Sequence, residues 1–288
     1  MTNLVQDRQD ADLIMSRIGT RSSLLTPDAD ASAKILTDAL KSRDPFWFIK
    51  LGDAAVECVY GYGKGTCDGE LYTAGLAKQL MSAWVCLRDD CRRLYVGDWR
   101  TASFSGPDDK SRYAEEYAAL TLHRGHRGAM LHFECLLLMR DTPELLGFYR
   151  AVHDDPRRKL LMGPSAWHEC ADLLRCEFLA LPIMPNLIDI APWIAGELER
   201  RDFDVMLYGA GMAGHVAVID CWRAHPGRTY INLGSALDPA TVRGRTRRQQ
   251  MGCVDARAFL SRLTTDQFVT TAGRGDALLK AYDAAVLT

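Results

Sequence analysis

The chain has 288 residues, a formal net charge of −2, 48% hydrophobic and 25% charged side chains. That is the make-up of an ordinary globular protein; it argues against tight non-specific binding to DNA, and no apolar run approaches the roughly 18 residues of a membrane-spanning helix. A chain of this size buries roughly three quarters of its unfolded surface and needs no staple.

The opening residues, MTNLVQDRQDADLIM, are polar and acidic rather than signal-like, so a cytoplasmic location is expected. Residues 1–44 read as a helical lead-in. Phe46 to Leu51 (FWFIKL) reads as the first strand. Further strands are expected at Arg93–Val96, Ala129–Phe133, Lys159–Met162, Phe178–Leu181, Val205–Tyr208 and Thr229–Leu233. Apolar residues three and four apart predict helices over 31–41, 71–87, 143–152, 166–174, 188–200 and 213–222. Residues after about 254 read as C-terminal helices on the same body. Alternation of short apolar strands with amphipathic helices predicts one α/β domain over 45–254, Rossmann-like, with a mostly parallel sheet covered on both faces.

Nine cysteines are scattered with no CxxC pair. Their odd number and the missing export signal predict free thiols in a reducing compartment, and no Cys/His spacing suits a zinc finger. Arginine outnumbers lysine 27 to 8. This fits either phosphate gripping by guanidinium groups or a GC-rich genome.

Ligands of open α/β sheets bind outside the carboxyl ends of the strands. Five of the seven strands are followed there by glycine and a small or acidic residue: Gly52-Asp53, Gly97-Asp98, Gly163-Pro164-Ser165, Gly209-Ala210-Gly211 and Gly234-Ser235. Such loops suit a phosphate or nucleotide, because glycine admits a close backbone approach and the next helix offers free N–H groups. The candidate binding set is Lys50, Gly52, Gly163, Ser165, Gly209, Gly211, Met212, Gly234, Ser235 and Asp238, with Arg245, Arg247 and Arg248 of a basic cluster that also holds Arg243. That cluster is either a diphosphate clamp or a solvated basic face.

Gly209 to Gly214 (GAGMAG) fits GxGxxG between a strand and a helix. The motif comes late in the chain, and the next strand, TYIN, offers Asn232 where a dinucleotide site has an acid. An NAD-dependent enzyme is therefore the second reading. Asp53 and Glu57 are spaced to share a helix face and to hold Mg²⁺ or Mn²⁺ against substrate phosphates; alternatively Asp53 caps the helix. The glycine-rich stretch 61–69 carries Lys64, Cys67 and Asp68 and suits either a lid or a surface loop. His132, His168 and His215 are candidate bases without a triad signature.

Phe48-Ile49-Lys50-Leu51-Gly52-Asp53 resembles the opening strand and R-[FL]-G-D-G-E motif of the GT-D-type glycosyltransferases. Tyr60-Gly61, the segment Gly65 to Gly69, Tyr72, Gly209 to Ala213 and Thr229 to Pro239 resemble a phage and bacterial variant of that group, in the same order over roughly 45–250. The resemblance implies a Rossmann-like fold, a nucleotide-sugar donor, often UDP-linked, and a divalent metal handled by the Asp-x-Glu. The acceptor hydroxyl expected is that of a glycan or a lipid-linked sugar, or, given the phage-like variant motifs and the arginine cluster, of a hydroxymethylated base in phage DNA. Asp53 matches the first acid, but Ala54 and Ala55 stand where the group has Gly and Glu. Glu57 or Asp68 substitutes, or the enzyme is metal-independent, or the chain only binds. The expected catalytic residues are Asp53, Glu57, Asp68 and Asp98, the last three as candidate bases.

Overall fold

The computed structural model of the chain describes residues 26–61, 71–89, 94–98, 129–182, 187–241 and 256–263. Its centre is a sheet of seven strands: β1 (Trp47–Lys50), β2 (Leu94–Asp98), β3 (Ala129–His132), β4 (Lys159–Gly163), β5 (Glu177–Ala180), β6 (Val205–Tyr208) and β7 (Thr229–Asn232). The spatial order is β3-β2-β1-β7-β6-β4-β5. Every pairing is parallel. The expected α/β architecture is therefore present, with all seven strands where the apolar runs lie.

Helices cover both faces. On the first lie α2 (Asp53–Tyr60) and α3 (Ala74–Asp89). The second carries α1 (Ala29–Ser42), α4 (Pro143–Asp154) and α5 (His168–Leu174). Later in the chain α6 (Leu187–Glu199) and α7 (Gly211–Ala224) join the first face, and α8 (Asp238–Thr241) and α9 (Ala256–Ser261) the second. The strands are apolar throughout because both sides are buried. Trp47 and Ile49 enter one core and Phe48 the other. Met206 and Tyr208 likewise oppose Val205 and Leu207. Side chains that alternate across a sheet with two covered faces need no polar alternation.

Helix ends differ from the periodicity for local reasons. α1 begins at Ala29, two residues early, because Asp28 caps it by accepting the Ala31 N–H at 2.8 Å. The stretch predicted as one helix over 166–174 divides: Ser165–Trp167 is a 3₁₀ turn and the α-helix starts at His168. α7 begins at Gly211, so the glycine motif forms its first turn.

The N-terminus of α4 also joins two helices. Thr142 Oγ1 accepts the Leu145 N–H at 3.3 Å and donates to Asp30 Oδ1 on α1 at 2.7 Å. Pro143 opens the helix, where its missing N–H costs nothing. Thr142→Ala is expected to lower stability by about 1–2 kcal/mol. The midpoint of urea unfolding, with an unchanged slope, measures it.

Candidate functional site

The sheet topology decides where a ligand fits. β1 leads into α2 on the first face, whereas β7 leads into α8 on the second. The loops above these neighbouring strands part, which makes a crevice at their carboxyl ends.

Lys50, the last residue of β1, lies there and is only 7% exposed. Its ammonium donates to the Leu233 carbonyl at 3.0 Å and stands 4.9 Å from the Phe133 ring centre. Two glycines clear its path. A Cβ at Gly97 would come within 3.0 Å of Lys50 Cγ, and one at Gly234 within 3.2 Å of Cε. Gly234 also has φ +57°, a conformation that other residues adopt only with strain.

Asn232 clasps the two sides of the crevice. Its Nδ2 donates to the Lys50 carbonyl at 3.0 Å, and its Oδ1 accepts the Gly234 N–H at 2.7 Å. The same Nδ2 lies 3.4 Å from His215 Nδ1. Asn232 is 3% exposed. An aspartate here would set carboxylate oxygen against both a carbonyl and a ring nitrogen.

Burial and the Lys50 charge hold His215 down to a pKa of about 4. At His132 burial is again the largest cause, with Arg140 and Lys50 adding to it against Asp28 and Asp98, and the result is also about 4. Histidine in an unfolded chain titrates near 6.5. The folded pKa is the depressed one, so the stability gained is complete above pH 6.5 and lost as pH falls through 4. Lowering the pH from 7 to 5 is expected to cost about 2 kcal/mol through His215 alone. Urea unfolding of the wild type and of His215→Gln over that range checks this; the variant curve should be flatter.

The sequence candidates divide once placed. Asp53 is the first residue of α2, and Gly52, not Asp53, is the N-cap, so the capping alternative for Asp53 is set aside. Ala55 is buried in the first-face core. Glu57 Oε2 accepts the Tyr72 hydroxyl at 2.7 Å. Among the described residues no three His, Cys, Asp or Glu side chains group as a metal cage. Asp98 is fully buried at the end of β2, accepts from Thr26 Oγ1 at 2.9 Å, and pairs in register with His132.

Gly163 and Gly209 are each required by packing. A Cβ at Gly163 would lie 2.4 Å from the Trp167 ring. One at Gly209 would lie 2.3 Å from that ring and 2.4 Å from the Gly234 carbonyl. The close approach that glycine allows is used by Trp167, which covers the ends of β4 and β6. Asp238 Oδ1 receives the Trp167 indole N–H at 3.0 Å, so this oxygen holds the ring in place. The Met212 side chain belongs to the core. Gly211, with φ +55°, is exposed at the start of α7, Ser165 is exposed, and Ser235 is half-buried. His168 is exposed on α5 and lies 3.9 Å from Asp172. Asp68, Arg243, Arg245, Arg247 and Arg248 lie outside the described residues.

Sequence reasoning noted Asn232 only as a missing acid and passed over Phe133 and Trp167. The signal for Asn232 was present: it is a polar side chain ending an apolar buried strand beside the crevice.

No family model matches the chain, and no curated protein matches it. Among solved structures, it is similar to one described as the highly conserved domain of unknown function 1792 with a distinct glycosyltransferase fold. That match has a TM-score of 0.48 and 14% identity and covers 72% of this chain and 82% of the other. A second, described as a new glycosyltransferase from Streptococcus sanguinis, gives 0.46 at 14% identity over 71% and 80%. A selenomethionine-substituted structure of the same domain gives 0.43 at 14% over 73% and 83%.

Proposed function

We propose that this chain is a glycosyltransferase that takes the sugar of a nucleotide-sugar donor, UDP-linked, and passes it to a hydroxyl acceptor. The observation that carries this reading is Lys50: a buried ammonium held at the crevice between two strands whose following helices diverge. The resemblance of the β1 segment and its Gly52-Asp53 to the GT-D motif supports it.

In such a transfer the bond from the anomeric carbon to the diphosphate oxygen breaks, and the nucleoside diphosphate leaves with added negative charge. The acceptor oxygen bonds to the same carbon and gives up its proton to a base. Lys50 is assigned the leaving charge, because a fixed cation in a water-poor site stabilises it without reorganisation. Backbone N–H groups at the N-termini of α2 and α7, which follow β1 and β6, would share it. Asp98, Glu57 and Asp68 are the candidates for the proton. A divalent cation on Asp53 would act as a further clamp on the diphosphate. The acceptor is assigned as a glycan hydroxyl, with a hydroxymethylated base in duplex DNA as the alternative.

The test is a thermal-shift series of nucleotide sugars and free nucleotides with and without Mn²⁺. A donor at about a hundred times its dissociation constant adds roughly 2.7 kcal/mol. A rise with a UDP-sugar supports the reading, and its dependence on Mn²⁺ tells whether Asp53 works with a cation. Transfer is then assayed on oligosaccharides and on hydroxymethylated duplex DNA, which separates the two acceptors. A response to NAD with none to any nucleotide sugar rejects the reading.

A further inference from the structure

Phe133 follows the end of β3, two strands away from Lys50 on β1, yet the two side chains meet. The contacts trace the path. Phe133 Cα lies 3.5 Å from the point where a Cβ on Gly97 would stand, so its backbone passes close over the end of β2. The ring continues across, with Cδ2 3.4 Å from the same point and Cζ 3.8 Å from the Cβ position of Gly52. Lys50 Cγ is 3.0 Å from the Gly97 point, and Lys50 Nζ is 4.9 Å from the ring centre. Gly97 thus gives room to ring and lysine stem together. The ring is only 6% exposed, so packing fixes its place and leaves no face open for a ligand to stack on.

The Lys50 ammonium is held from several sides. The Leu233 carbonyl accepts from it at 3.0 Å, and Nζ is 3.3 Å from the Cβ position of Gly234. The Phe133 ring supplies a further side. The face of an aromatic ring is negative, so it attracts an ammonium without bringing a formal charge to cancel it. A four-carbon side chain left free to rotate loses rotamer freedom when it grips an anion, and one already held has little left to lose.

We infer that Phe133 is a positioning residue for Lys50: its ring face holds the charged ammonium in one place at the crevice before any anion arrives. This rests on the proposed reading of Lys50 as the cation that meets the diphosphate of the donor. Phe133 acts through Lys50, and a variant that removes Lys50 removes its effect.

Two measurements test it. The first needs no ligand. Trifluorophenylalanine at position 133 keeps the shape of the ring and drains negative charge from its face. The titration midpoint of the Lys50 ammonium, followed by NMR and assigned with Lys50→Met, should fall by about half a pH unit or more. An unchanged midpoint overturns the inference. The second is calorimetric titration of UDP and of pyrophosphate into wild type, Phe133→Leu, Lys50→Met and the double variant. Phe133→Leu should bind about three- to tenfold more weakly than wild type and should cost nothing further once Lys50 is replaced. The same loss in both backgrounds makes Phe133 merely structural and overturns the inference, as does no loss in either. A wild type that binds neither probe removes the donor reading, and the fluorinated protein then decides the contact alone.

Discussion

Lys50→Met is expected to weaken nucleoside-diphosphate binding about ten- to a hundredfold while leaving the protein as stable as before or more so. The two effects have separate causes. Methionine keeps most of the apolar stem that runs over Gly97 and Gly234, so packing survives. What disappears is a charge only 7% exposed, whose ammonium donates to the neutral Leu233 carbonyl. A buried cation costs free energy that a neutral side chain does not. A charge-assisted contact to a bound phosphate is worth roughly 1.5–3 kcal/mol, which is the stated range of affinity. Calorimetric titration with UDP, beside urea unfolding of the same sample, reads both quantities. A loss of stability with unchanged affinity would make Lys50 a structural residue and remove the main support for the donor site.

Gly209→Ala is expected to destabilise the fold by at least about 2–3 kcal/mol. Its added methyl would meet the Trp167 ring at 2.3 Å and the Gly234 carbonyl at 2.4 Å. The first obstacle is a fully buried indole held by Asp238, and the second is backbone, so neither yields cheaply. For a chain of this size the melting temperature should fall by roughly 5 °C or more. Gly147→Ala is the control. Nothing lies within 4 Å of a Cβ there, and the position is inside α4, so alanine should stabilise by about 0.5–1 kcal/mol. Calorimetric scans of the two variants decide whether the GAGMAG glycine is needed for packing. An unchanged Gly209→Ala would return that loop to the ligand.

The fold was legible because its strands are buried twice. A run such as VMLY at 205–208 carries no alternation, and its length and flanking glycines marked it as a covered parallel strand. Lys50 was legible too, as a cation ending an apolar run before Gly-Asp. The state of the histidines was not. His215 Nδ1 lies 3.4 Å from an amide 17 residues away in sequence, which itself donates to a carbonyl 182 residues away. The glycines were ambiguous for a related reason: a glycine that admits phosphate and one that admits an indole look alike until Trp167 is placed.

The clasp made by Asn232 has a consequence for how the molecule comes into being. β1 pairs on one side with β2, made soon after it, and on the other with β7, made near the end of the described chain. A ribosome must have passed Gly234 before Lys50 has its carbonyl partner or Asn232 can join the two loops. During synthesis the first strands stand with an open central edge, which exposes unpaired backbone groups to other chains. Arrest peptides placed at successive lengths should therefore release tension late, after β7 emerges. Co-expressed fragments divided between β3 and β4 should need each other for solubility, since each half would end on the strand the other completes.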